Sequence, residues 1–108
     1  MANISDRYTC RVTWSAEDQE YIGLCAEFPS LSWLEHDPEK ALAGIRKLVK
    51  ATTGDLASNK EPVPEPISLR SFSGKVLVRV PPETHRMLAI QAAESGVSLN
   101  HLIASKLA

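Results

Sequence analysis

The chain has 108 residues, a net charge of −1 and 44 % hydrophobic residues, which suits one modest folded domain or two very small ones and excludes a disordered chain. No apolar run approaches the length of a membrane span. The N-terminus MANISDRYTC has no basic region followed by an apolar stretch, so the expected location is the cytosol. Charge is unevenly spread. Residues 1–57 hold six basic against nine acidic side chains, net −3, whereas residues 74–108 hold four against two, net +2. A division of this kind suits a protein that meets DNA with one end and something basic with the other. Cys10 and Cys25 lie fifteen positions apart without a second pair, which excludes the usual zinc spacings and leaves two reduced packing residues.

Residues 8–14 alternate in the manner of a half-buried strand, with Tyr8, Cys10, Val12 and Trp14 on one face. A polar turn over 15–19 leads to a second strand over 20–28, on which Ile22, Leu24, Ala26 and Phe28 share a face. Pro29-Ser30 breaks the pattern before a short third strand over 31–36. Asp37-Pro38-Glu39 then marks a helix start, with Asp37 as N-cap and Pro38 in the first turn. The helix carries Ala41, Leu42, Ile45, Leu48, Val49, Thr52 and Leu56 on one side and is predicted to run to about Gly54 or Ala57. The first domain, residues 1–57, is thus a β-β-β-α unit: an open antiparallel sheet covered by one helix.

Residues 58–73 contain Pro62, Pro64 and Pro66 and read as a semi-rigid, extended linker. Whether residues 67–72 add a strand is left open by their pattern.

Residues 74–108 read as strand, helix, helix. Val76, Val78 and Val80 share one strand face, and Lys75, Leu77 and Arg79 the other. Pro81-Pro82 stops the strand, and Pro82 with Glu83 starts a helix that Gly96 ends as a left-handed cap. Ser98 caps a second helix bearing Leu99, Leu102, Ile103 and Leu107. Such a unit is too small to bury an adequate core alone. Two copies would solve this by pairing their strands into an antiparallel ribbon over Val76, Val78, Val80, Leu88, Leu102 and Ile103. Lys75, Leu77 and Arg79 would then face outward to base edges in a major groove, and Ser98, Leu99 and Asn100 would meet phosphates. The same pattern also suits an edge strand of a larger sheet with two helices behind it.

The hairpin, the FPSLSW passage, the HDPEKALAGIRKLV helix start and the tail from PVPEPISLRSFSGKVLVRVPPETHRMLAIQ to GVSLNHLI together resemble the HicB family of antitoxins. The resemblance implies a partial ribonuclease-H-like N-terminal part that binds and blocks a small HicA-like toxin, an mRNA interferase. It also implies a C-terminal ribbon-helix-helix that binds the operon's own double-stranded promoter DNA as a homodimer, and leaves open whether dimers pair further into tetramers. Because a toxin that grips RNA presents a basic face, Glu17, Asp18, Glu20, Glu27 and Glu35 are the candidate toxin contacts. The alternative function is a stand-alone ribbon-helix-helix transcription regulator whose first domain senses a ligand or protein.

A ribonuclease-H-like shape raises the question of catalysis. Two-metal hydrolysis needs converging carboxylates, one typically on the first strand, and residues 8–14 contain none. His36, His85 and His101 stand at no ligand or triad spacing, and there is no glycine-rich phosphate loop. The expectation is therefore a non-enzymatic α+β protein with no metal or cofactor.

Overall fold

The structure, a computed structural model, describes residues 4–108. It divides into two compact units, Met1–Phe72 and Ser73–Ala108.

In the first unit, a single 3-10 turn over Ile4–Arg7 precedes β1 (Cys10–Ser15), β2 (Glu20–Cys25), β3 (Ser32–Glu35) and α1 (Pro38–Ser58). The strands form one antiparallel sheet in the order β1-β2-β3, the open α+β arrangement expected. The β1–β2 turn closes with the Gln19 N–H on the Ser15 carbonyl, and Gln19 takes a left-handed φ of 56°. Asp37 caps α1, its carboxylate accepting from the Glu39 N–H at 2.9 Å, with Pro38 in the first turn.

Helix α1 lies on the sheet face that carries Cys10, Gly23 and Cys25. A Cβ on Gly23 would fall 2.6 Å from the Ala41 carbonyl oxygen and 2.8 Å from Ile45 Cγ2. Helix and sheet therefore touch backbone to backbone there. A Cβ on Gly44 would likewise meet the Trp33 ring at 2.1 Å, so this indole lies flat on α1. The core comprises Tyr8, Cys25, Phe28, Ile45 and Val49, with Cys10, Leu31, Leu48 and Leu56 packed around it. Ala41, Ile45 and Val49 are fully buried, each of the two larger ones worth about 1.5–3 kcal/mol.

The structure corrects the grouping expected for the second strand, which ends at Cys25 and does not keep Ile22, Leu24, Ala26 and Phe28 on one face. Gly23 and Cys25 point at the helix, so Ile22 and Leu24 point to the opposite side of the sheet, together with Leu34. The sequence pattern grouped Ile22 and Leu24 on one face with Ala26 and Phe28; close approach of the helix requires a residue without a side chain on the other. Phe28 does reach the core, because the turn after Cys25 interrupts the strand alternation. Leu42, expected on the buried stripe of α1, is 38 % exposed.

The segment after α1 is anchored to this unit. Pro66 is fully buried, and residues Ile67–Leu69 form a 3-10 turn rather than a strand. The Tyr8 hydroxyl donates to the Pro64 carbonyl, the Ser68 hydroxyl to the Arg7 carbonyl, and the Ile67 N–H to the Glu27 carboxylate at 2.8 Å.

In the second unit, α2 (Pro82–Ser95) and α3 (Leu99–Leu107) pack through the buried Ala92 and Leu102. Gly96, at φ 70°, is the left-handed cap of α2, and Val97 N–H returns to the Ala92 carbonyl at 3.0 Å. Ser98 Oγ accepts from the His101 N–H at 3.0 Å and caps α3. Residues 75–80, expected as a strand, form no ladder within the single chain. A strand is stabilised by cross-strand hydrogen bonds, and the second unit offers this segment no neighbouring strand.

Candidate functional site

The second unit displays its apolar residues rather than burying them. Val76 is 81 %, Leu77 87 %, Val78 62 % and Val80 42 % exposed. Val78 and Val80 line a groove of about 580 Å³ whose other walls are Leu88 from α2 and Leu99, Ile103 and Leu107 from α3. Four of the six residues expected at a dimer core, Val78, Val80, Leu88 and Ile103, thus face one concave apolar surface. Leu102 lies beneath, in the α2–α3 contact, and Val76 lies outside the groove.

The residues expected to meet DNA divide in the same way. Lys75 and Leu77 project into solvent. Arg79 contributes to the groove wall while remaining exposed overall. At the start of α3, Ser98 Oγ is committed to its cap, Leu99 is half-buried in the groove, and Asn100 is exposed. Helix α3 nevertheless presents its first-turn N–H groups beside Ser98, and no acidic side chain occupies that turn.

In the first unit the five carboxylates singled out from sequence have separate fates. Glu17 and Asp18 stand exposed on the β1–β2 turn, Asp18 accepting from the Ser15 hydroxyl at 2.8 Å. Glu20 approaches His36 Nε2 at 3.4 Å. Glu35 accepts from the Trp33 indole N–H at 3.0 Å. Glu27 is engaged internally: it takes the Thr9 N–H at 3.0 Å, the Thr9 hydroxyl at 3.0 Å, the Ile67 N–H at 2.8 Å and the Cys25 thiol at 3.4 Å. Burial alone would raise its pKa, but the Ile67 and Thr9 donors outweigh that and hold the carboxyl at about 2. Glu27 is a clasp between Thr9, just before β1, and the proline segment. Sequence reading missed this because its partners are backbone N–H groups 18 and 40 positions away, which leave no side-chain pattern.

Cys10 and Cys25 face each other directly across the β1–β2 ladder, and both are free thiols. Burial pushes the Cys25 thiol up to about 12, so it stays protonated, packs in the core and donates to the Glu27 carboxylate at 3.4 Å. Among the described residues, no group of three or more His, Cys, Asp or Glu is placed to hold a metal ion. No helix of the described residues is long and apolar enough to cross a membrane.

The HicB family model matches residues 56–107. The match begins in the last turn of α1, takes in the anchored proline segment and extends through the groove-bearing helices. No curated protein and no solved structure matches the chain.

Proposed function

We infer that this chain is a HicB-type antitoxin: it binds and neutralises a HicA-like, RNA-cleaving toxin and represses its own operon as a dimer on promoter DNA. The observation that carries the reading is the HicB family match over residues 56–107, the region in which valines and groove lie open. Two copies pair residues 75–80 into an antiparallel ribbon. Its valine face closes the grooves of both copies, removing from water side chains worth about 1.5–3 kcal/mol each. The ribbon satisfies the backbone groups of 75–80 and turns Lys75, Leu77 and Arg79 to one outer face. That face enters the major groove, where Arg79 and Lys75 read guanine edges and Leu77 meets a thymine methyl. Ser98, Leu99 and Asn100, at the N-terminus of α3, hold flanking phosphates through backbone N–H groups. The first unit, acidic overall, supplies the toxin-binding surface.

The test is fluorescence anisotropy of the full-length protein on DNA from immediately upstream of its gene, at fixed salt, with a scrambled duplex alongside. Selective binding is expected, and Arg79→Ala should weaken it by about 1–3 kcal/mol and relax its sequence preference. Equal affinity for the two duplexes, with or without the co-purified toxin, would sink the repressor part of the reading. Failure to rescue growth from the neighbouring toxin would sink the antitoxin part.

A further inference from the structure

The register sets Trp14 opposite Tyr21, and Tyr21 opposite Glu35, in one row across the sheet on the same side as α1. The Trp14 and Tyr21 rings meet edge to face at 5.1 Å. Glu35 accepts from Trp33, whose indole lies on Gly44 of α1. These four side chains form a continuous strip from the outer strand β1 to the first turns of α1. Trp14 is 50 % and Trp33 37 % exposed, so the strip holds two indoles that the fold itself does not bury. Half-exposed tryptophan and tyrosine beside a rigid element are the side chains that dominate binding energy when a partner completes their burial.

The surroundings identify the partner's chemistry. From Val12 to Glu39 the sequence holds seven carboxylates and no lysine or arginine. Glu27 is turned inward on its clasp. Glu17 and Asp18 stand on the turn that follows β1, a few residues beyond Trp14, and Glu39 lies in the first turn of α1. An aromatic centre rimmed by carboxylates that outnumber the neighbouring basic side chains fits a basic partner. Three of the four basic side chains of α1 are separate from this rim: Arg46, Lys47 and Lys50 lie beside the Ile4–Arg7 turn, where Arg46 reaches Asp6 at 3.3 Å, and Lys40 alone stands next to Glu39 in the first turn.

The geometry points to the strip Trp14–Tyr21–Glu35–Trp33, with its rim of Glu17, Asp18 and Glu39, as the surface on which the basic RNA-gripping face of the toxin docks. This rests on the antitoxin reading and adds to it the location and the anchors of the interface. The indoles supply the apolar contact, the carboxylates occupy the cations that would otherwise hold RNA phosphates, and the toxin is thereby blocked at its substrate surface.

The test uses the full-length protein and the small basic protein encoded by the neighbouring reading frame, with binding followed by biolayer interferometry across a salt series. Trp14→Ala is expected to weaken binding at least about tenfold through faster dissociation. E17K/E39K, which leaves every indole in place, is expected to weaken it by a similar factor and to flatten its salt dependence. K47E/K50E, on the other surface of α1, should bind as the wild type does. Circular dichroism melting checks each fold, and E17K/E39K carries the test should Trp14→Ala melt early. Wild-type binding with both strip variants unchanged would overturn this surface while leaving the antitoxin reading standing. So would a Trp14→Ala effect confined to self-association of the chain. Failure of the wild type to bind would overturn both.

Discussion

Glu27 offers the sharpest stability prediction, because one carboxylate ties Ile67 to Thr9, just before β1, and does so in a measurable pH window. Its pKa falls from an ordinary 4.5 to about 2. A group whose folded pKa is depressed contributes stability above its unfolded pKa and loses that contribution as pH falls towards the folded one. Each tenfold change in proton affinity is worth about 1.4 kcal/mol, so a fall of this size would correspond to roughly 3 kcal/mol. The carboxylate is only half-buried, and solvent screening brings the expected contribution to about 2 kcal/mol. Both tryptophans, Trp14 and Trp33, belong to the first unit, so urea titrations followed by indole fluorescence report its stability directly. At pH 7, Glu27→Gln should cost about 2 kcal/mol, since the amide cannot replace a charged acceptor of four donors. Between pH 4.5 and about 2 the wild type should lose stability faster than the variant, and the two curves should converge. Hydrogen exchange at the Ile67 amide should also quicken in the variant at neutral pH, because its acceptor is weakened. Parallel pH curves for wild type and Glu27→Gln would refute the clasp, whatever the cost at pH 7.

Three further outcomes follow from the same geometry. Gly23→Ala puts a methyl 2.6 Å from a helix carbonyl and should cost about 1–3 kcal/mol in a urea melt; an unchanged midpoint would mean that α1 does not press on β2. Cys25, held at about 12 by burial, should resist a thiol-disulfide reagent at mildly alkaline pH until urea unfolds the first unit, and rapid labelling of the native protein at this position would contradict its placement. Ile103→Asp, which places a charge in the apolar groove, should shift sedimentation from dimer to monomer and abolish promoter binding; a variant that stays dimeric would relocate the dimer contact elsewhere.

Elements with local signals were legible from sequence. Asp37-Pro38 fixed the start of α1, Gly96 and Ser98 fixed the junction of α2 and α3, and alternation placed the hairpin. What failed to show were the features decided by distance in the chain. The helix-facing side of β2 is set by Gly23, whose lack of a side chain is invisible to a hydrophobic count and decisive for how closely α1 approaches. The proline segment read as a spacer because its composition is extended and polar. It is nevertheless held by Tyr8, Arg7 and Glu27, all far away in the chain. Trp14 and Trp33 read as ordinary strand residues, and only their register and exposure set them apart.

The chain contains enough apolar side chains for a larger core than it builds, and their distribution is orderly. Ile45 and Val49 are used inside the first unit, where a 21-residue helix covers one sheet face. Val76, Val78 and Val80 lie outside, on a segment whose alternation suits a strand but which has no ladder in one copy. Such a valine row stays exposed at a cost in solubility unless association removes it from water. In the second unit, Ala92 and Leu102 are the buried side chains that hold the two helices together. On the proposed dimer, so small a core would leave most of that unit's stability to come from its partner copy, and folding and dimerisation of the C-terminal unit would be one event. On that reading, DNA binding by the proposed ribbon would depend on protein concentration through the same association that completes its core.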